Sequence, residues 1–331
     1  MTTRRAAGVA ARIQAAAQGT RRPTVSFELY PPRTDATRAA LPATLTRLAS
    51  AAPDFFSVTY GASGSSRHVS RDVVNWLLGN TEADVVAHLT CIGNPRDEVQ
   101  AVVEPMIADG VRNFLALRGD PPAGVQDWEP HPEGLRYASE LVGLLRELEA
   151  ERRDLTISIG VAATPSAPWQ VPYVADGESR GDDIQALLAK EAAGADYAIT
   201  QVFFEADSYV GYVEAARSAG VTIPLVPGIV PLTDPRRLRR LEQISGVAVP
   251  ASILERLDGA DESARSAVGT AMGADLVDRV LDAGAPGLHV YTFNQHGPAL
   301  DLLGGAHLDR GAAGPGVGGG PRVTTPASID H

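Results

Sequence analysis

The chain has one cysteine, Cys91, among 331 residues, which excludes an internal disulfide framework and a thiolate zinc cluster. Aromatic residues are scarce, at 5%. Positive charge is in deficit: 29 Lys and Arg against 40 Asp and Glu leave a formal net charge of −11. Broad binding to nucleic acid or to an anionic membrane needs the opposite balance, so neither partner is expected, although a local basic pocket for an anionic ligand is compatible. No apolar run approaches the roughly 18 residues of a transmembrane helix. The seven histidines show no His-x-His or helical metal spacing, so zinc chemistry and a bound metal are not expected. The expectation is a cytoplasmic soluble enzyme or binding protein.

Hydrophobic residues make up 44% of the chain. They recur as eight short β-branched or aromatic runs: Thr24–Tyr30, Phe55–Tyr60, Asp84–Thr90, Asn113–Arg118, Thr156–Ala162, Tyr197–Phe204, Ile223–Val230 and Gly287–Phe293. Between them apolar residues fall at helical spacing. One stretch places Val99, Val102, Val103, Met106 and Ile107 on one face, after Asn94 as cap and Pro95 in the first turn. Another carries Leu135, Ala138, Leu141, Val142, Leu145 and Leu148. Gly110, Gly194, Gly220 and Gly284 close such stretches shortly before a strand, as left-handed helix caps do.

Eight strand-then-helix units with short joints predict a (β/α)8 TIM barrel. A doubly wound sheet would carry a glycine-rich phosphate loop after its first strand, and Tyr30-Pro31-Pro32-Arg33 stands there instead. Residues 1–22 are read as an N-terminal helix and extension, with the helix over Ala6–Ala17; the acid-free arginines Arg4, Arg5, Arg12, Arg21 and Arg22 resemble a transit peptide only faintly. Residues 23–303 form the barrel. Residues 304–331 are read as a flexible glycine-rich tail. The long segment Thr164–Gly181 after the fifth strand is a candidate lid.

In such a barrel the site lies at the carboxyl ends of the strands. Glu28 is a lone carboxyl group in the apolar run Val25–Tyr30. It is either an ion-pair partner or a general acid, since desolvation favours the protonated form. Arg118-Gly119-Asp120 sets a cation, a flexible joint and an anion at one strand end, suited to phosphate or carboxylate and to a nitrogen-rich ring. The same residues fit a mutual ion pair equally. Gln201, beside Phe203 and Phe204, suits amide recognition of a flat heterocycle. His88 is either a core residue or a ligand, and Cys91 is read as packing.

These residues, taken in order, resemble the methylenetetrahydrofolate reductase family. The resemblance rests on Ser26-Phe27-Glu28 with Pro31-Pro32-Arg33, Ser57-Val58-Thr59-Tyr60-Gly61, His88-Leu89-Thr90-Cys91 and Ala116–Pro122. It continues through Ile199-Thr200-Gln201 with Phe203-Phe204, Pro227-Gly228-Ile229, Val249-Pro250-Ala251 and Tyr291-Thr292-Phe293-Asn294, over about residues 22–303. It implies a barrel that reduces 5,10-methylenetetrahydrofolate to 5-methyltetrahydrofolate with electrons from NAD(P)H. Glu28 would be the general acid; Asp120, Gln201, Phe203 and Tyr291 would bind folate. Thr59, Tyr60, His88, Arg118, Gly119, Asp183 and Lys190 would bind the cofactor.

The departures fall mostly on the flavin side. A Tyr-Pro-Glu-x-His-Pro segment usual in the family is here Ala163–Pro168, and Ala186 and Ala189 stand where asparagine and arginine would. Pro235 occupies an aromatic position, and Gln295 replaces a folate-binding arginine. The resemblance is therefore to flavin-free members, with NADH or NADPH as co-substrate and no bound FAD. The alternatives are an FAD-dependent ping-pong reductase and a folate-binding barrel without turnover.

Overall fold

The computed structural model describes residues 8–59, 64–120, 129–165, 173–175, 178–180 and 183–308. Its strands are β1 (Thr24–Leu29), β2 (Phe55–Val58), β3 (Asp84–Thr90), β4 (Asn113–Leu117), β5 (Ser158–Ala163), β6 (Tyr173–Ala175), β7 (Glu178–Arg180), β8 (Tyr197–Val202), β9 (Leu225–Ile229) and β10 (Gly287–Tyr291). Eight of them close a barrel in the order β1-β10-β9-β8-β5-β4-β3-β2, and every neighbouring pair is parallel. The TIM barrel expected from the alternating runs is present, with strand ends moved by at most two residues.

The helices are α1 (Val9–Ala17), α2 (Asp35–Ala49), α3 (Gly64–Asn80), α4 (Arg96–Ala108), α5 (Ala138–Ala150), α6 (Asp183–Ala192), α7 (Ala206–Ser218), α8 (Pro235–Ser245), α9 (Ala251–Asp258), α10 (Glu262–Asp282) and α11 (His296–Gly305). Two expected helix starts shift: Pro95 is itself the N-cap of α4, and Leu135 precedes α5. Within the proposed lid, β6 and β7 form an antiparallel hairpin. The rest of residues 166–182, and the tail from residue 309 on, lie outside the described residues.

The core has two layers, divided by strand alternation. Outward residues such as Phe27, Leu29, Phe56 and Phe114 pack under the surrounding helices. Inward, the floor of the barrel is filled by Phe55, Val86, Leu115, Tyr197, Ile199 and Val226, and α1 plugs it with Val9 and Ile13. A helix start leaves backbone N–H groups without intrahelical partners. Here Asn113 Oδ1 accepts from Val9 N at 3.1 Å and Ser158 Oγ accepts from Ala10 N at 3.3 Å. The N-terminal helix is thus a buried plug. The floor is sealed, and the carboxyl ends of the strands form the open end.

Candidate active site

Above the apolar floor the interior turns polar. Register sets Ser26 beside His289 and Glu28 between Tyr291 and Ser57. Glu28 keeps 21% of its side chain exposed, and its Oε2 lies 3.7 Å from His88 Nε2 and 3.7 Å from His289 Nε2. The ionisable neighbours of the carboxyl group among the described residues are therefore two imidazoles, and the ion-pair alternative with an arginine is not what the described residues form.

The two imidazoles differ. His88 is buried, and burial lowers its pKa from 6.5 to about 4, against the opposing pull of Glu28; His289 lowers it further. At neutral pH it carries no charge. His289 is wired into the barrel wall. The Ser26 hydroxyl donates to Leu288 O at 3.0 Å, so it accepts from His289 Nδ1 at 2.8 Å, which places that ring's proton on Nδ1. Nε2 then faces Ser57 Oγ at 3.2 Å and Glu28. Phe55 stacks on the ring at 6.0 Å and Tyr291 meets it edge-on at 5.4 Å. The role of His289 was not legible in the sequence, where Ser26, Ser57 and Glu28 lie far from it along the chain. Its one local signal is a polar side chain two residues before Tyr291, on the inward face of β10.

The remaining residues named from the sequence divide. Tyr291 lies at the mouth; its hydroxyl donates to Thr200 O at 2.8 Å, and burial, with Glu28 adding, raises its pKa well above the ordinary value. Gln201 is half-buried at the end of β8, its Oε1 accepting from Val202 N at 2.9 Å, which leaves the amide NH2 as donor. Phe203 does not reach the mouth. A register shift between Ile199 and Val202 reverses the alternation, and Phe203 stacks on Tyr209 of α7 at 5.6 Å in the outer core.

Thr59 is half-buried, its N–H donating to Leu29 O at 2.9 Å. Tyr60 lies outside the described residues. Arg118 is half-buried at the end of β4, and its Nε is buried without a hydrogen-bond partner among the described residues. Gly119 follows at φ +88°, and Asp120 is exposed. On α6, Lys190 Nζ donates to Ala162 O at 2.8 Å, and burial lowers its pKa while Asp183 opposes the shift. Cys91 is buried, its thiol pushed up to about 12 mainly by desolvation, which leaves it an unreactive packing residue.

A family model described as Methylenetetrahydrofolate reductase matches residues 12–304. A 5,10-methylenetetrahydrofolate reductase of Escherichia coli (strain K12) is 34% identical over 273 residues, covering 82% of this chain and 86% of its own length. A probable methylenetetrahydrofolate reductase (NADH) of Oryza sativa subsp. japonica is 31% identical over 292 residues, covering 88% of this chain but 49% of the relative. Among solved structures, an uncharacterized protein from Clostridium thermocellum that binds two copies of 5-methyl-5,6,7,8-tetrahydrofolic acid superposes with a TM-score of 0.54 at 14% identity, covering 88% of this chain and 98% of that one. That likeness is one of fold. The extent of the family match and the identity to the bacterial relative establish that the chain belongs to the methylenetetrahydrofolate reductase family.

Proposed function

We propose that this chain reduces 5,10-methylenetetrahydrofolate to 5-methyltetrahydrofolate by direct hydride transfer from NADH or NADPH, with Glu28 as general acid. The observation that carries this reading is the setting of Glu28: a partly exposed carboxyl group at the barrel mouth whose ionisable neighbours among the described residues are His289 and His88, the latter uncharged at neutral pH. An acid so placed can carry a proton to substrate. Glu28 protonates the bridging nitrogen N10; the bond from the methylene carbon to N10 breaks with its electron pair passing to N10, and the five-membered ring opens. The N5 lone pair forms an iminium with the methylene carbon, and hydride from the nicotinamide converts that carbon to a methyl group. NAD(P)+ leaves, and Glu28 regains its proton from solvent.

Folate is assigned to Asp120, Gln201 and Tyr291; the carboxyl group of Asp120 and the amide of Gln201 suit the pterin edge. The dinucleotide is assigned to Thr59, Tyr60, His88, Arg118 and Gly119, with the unpaired Arg118 Nε as donor to its pyrophosphate. A flavin fits the described residues poorly. Lys190, the sole cation of α6, gives one of its three N–H donors to Ala162 O, and the side chains of Ala186 and Ala189 on that helix offer no hydrogen bond to a ribose or phosphate. With both substrates bound together, the nicotinamide carbon must come within roughly 3–3.5 Å of the methylene carbon.

The test is the absorption spectrum of the purified protein before and after denaturation, followed by an NADH oxidation assay without added flavin. A colourless protein that oxidises NADH only when methylenetetrahydrofolate is present supports direct transfer. Stoichiometric released FAD, or ping-pong initial-rate kinetics, overturns it.

A further inference from the structure

The apolar floor of the barrel and its polar mouth meet at one ring. Register sets Phe55, Ser26 and His289 in a row across β2, β1 and β10, and Ser57, Glu28 and Tyr291 in the next row towards the mouth. Ser26 is the small member of its row. Phe55 stacks on the His289 imidazole across it, with ring centres 6.0 Å apart and planes at 17°. His289 turns Nε2 to the next row, 3.2 Å from Ser57 Oγ and 3.7 Å from Glu28 Oε2. Phe55 is thus the apolar residue stacked against the ring that faces the acid.

Phe55 also belongs to the cluster that α1 closes from below. Val9 and Ile13 are fully buried in it, with Val86 and Leu115 as further members. The helix is pinned as well as packed. Asn113 Oδ1 and Ser158 Oγ accept from its first N–H groups, and Arg12 Nε lies 3.0 Å from Asp84 Oδ2. At Gly8 a Cβ would come within 2.5 Å of Ser158 Oγ, so the chain enters the floor at a fixed depth. Val9 and Ile13 therefore hold set positions in a packed interior, where atoms removed are felt by the neighbours. His289 Nε2, at 3.7 Å, is beyond hydrogen-bond reach of the Glu28 carboxyl group. Whether that gap closes in the complex with substrate depends on where the ring is held.

We propose that α1 is a positioning element of the active site: Val9 and Ile13, through Phe55, fix the His289 ring and with it the approach of Nε2 to Glu28. The proposal rests on the reading of Glu28 given under Proposed function. It gives the N-terminal helix a part in turnover beyond sealing the barrel, although α1 lies at the end of the barrel opposite the mouth.

The test compares Ile13→Ala with Leu281→Ala in the full chain. Leu281 is also buried, but in the outer core on α10. Both variants should lose stability in denaturant. Ile13→Ala should lower kcat roughly three- to tenfold with KM for methylenetetrahydrofolate and for NADH unchanged, and Leu281→Ala should keep the wild-type kcat. In a His289→Gln background Ile13→Ala should cost no further kcat, because the route to Glu28 is already cut. Ile13→Val, which removes a single methylene, serves if Ile13→Ala fails to fold, with a smaller loss of the same kind. The ring-nitrogen NMR resonances of His289, identified by their loss in His289→Gln, give a readout without turnover. They should move in Ile13→Val and in Phe55→Leu and stay in place in Leu281→Ala.

Equal kcat in Ile13→Ala and Leu281→Ala overturns the proposal and leaves α1 a stabilising plug alone. An undiminished effect of Ile13→Ala in the His289→Gln background overturns it too, as do His289 resonances indifferent to Ile13. A wild type without methylenetetrahydrofolate turnover, whose His289 resonances still follow Ile13, sinks the reductase reading and leaves the coupling of α1 to His289 standing.

Discussion

His289 Nε2 stands 3.7 Å from Glu28 Oε2, while the opposite nitrogen of the same ring is fixed at 2.8 Å to Ser26 Oγ. A hydroxyl that already donates to Leu288 O can only accept from the ring, so Nδ1 carries a hydrogen and Nε2 is the nitrogen turned to Glu28. His289 is thereby a positioning residue: its ring is fixed through Nδ1 and stacked on Phe55, and it sets Nε2 beside the Glu28 carboxyl group. Glu28→Gln should abolish turnover while leaving folate binding nearly intact. His289→Gln should reduce kcat by roughly ten- to a hundredfold, below the 10²–10⁴ range of general acid catalysis itself, and shift the pH profile of kcat. Steady-state kinetics with a parallel binding titration separates the two. Equal loss of binding and turnover in Glu28→Gln would leave Glu28 a structural role only.

The second imidazole gives a stability signature. Burial brings His88 from 6.5 down to about 4. Between those values the unfolded chain takes up a proton that the folded chain refuses, so stability is fully present above about 6.5 and is lost as pH falls towards 4. The loss should approach roughly 3 kcal/mol at the acid end. His88→Asn removes this titration and should flatten the difference in urea midpoint between pH 7 and pH 4. A variant as acid-sensitive as wild type would refute the assignment.

The barrel was legible because its signals are local: period-two alternation in the strands, helical spacing between them, and the glycines that close α4, α6, α7 and α10, all four with positive φ. Side-chain direction at the strand ends was less so. Phe203, which the resemblance names as a folate residue, is turned outward by the register shift before Val202, and a shift set by pairing with β9 leaves no trace in the sequence of β8. His289 is the converse case, since its partners Ser26 and Ser57 come from strands 263 and 232 residues away in the chain.

At the barrel floor, Asp54 gathers the charges of the N-terminal segment. Its carboxylate is buried, accepts from Val25 N at 2.8 Å, and pairs with Arg21 at 2.5 Å and Arg22 at 3.2 Å, with Arg12 at 4.0 Å. Asp54→Ala strands a strand-edge N–H and leaves three arginines without their common anion, and should cost about 3–5 kcal/mol. Asp258, which pairs with Arg239 at the surface of α8 and α9, is the comparison: Asp258→Ala should cost less than about 1 kcal/mol. Denaturant midpoints measure both. A small effect at Asp54 would mean that the N-terminal segment holds without this shared anion, through Val9 and Ile13, the bonds to Asn113 and Ser158, and the Arg12–Asp84 pair.

Gly119 links backbone shape to the proposed dinucleotide side of the mouth. It stands at φ +88°, between Arg118 and Asp120, and a Cβ there would come within 2.8 Å of Ile92 Cγ2 and 3.1 Å of Thr90 Cβ. Gly220 has a similar backbone, φ +102°, but open space where its Cβ would be. Gly220→Ala therefore meets only the left-handed penalty of roughly 1–2 kcal/mol and should keep the wild-type KM for NADH. Gly119→Ala meets that penalty and a clash as well. The segment must move, and Arg118 moves with it, so KM for NADH should rise several-fold. Thermal unfolding and steady-state kinetics of the two variants decide the matter. If Gly119→Ala loses stability but retains the wild-type KM for NADH, Arg118 does not hold the dinucleotide.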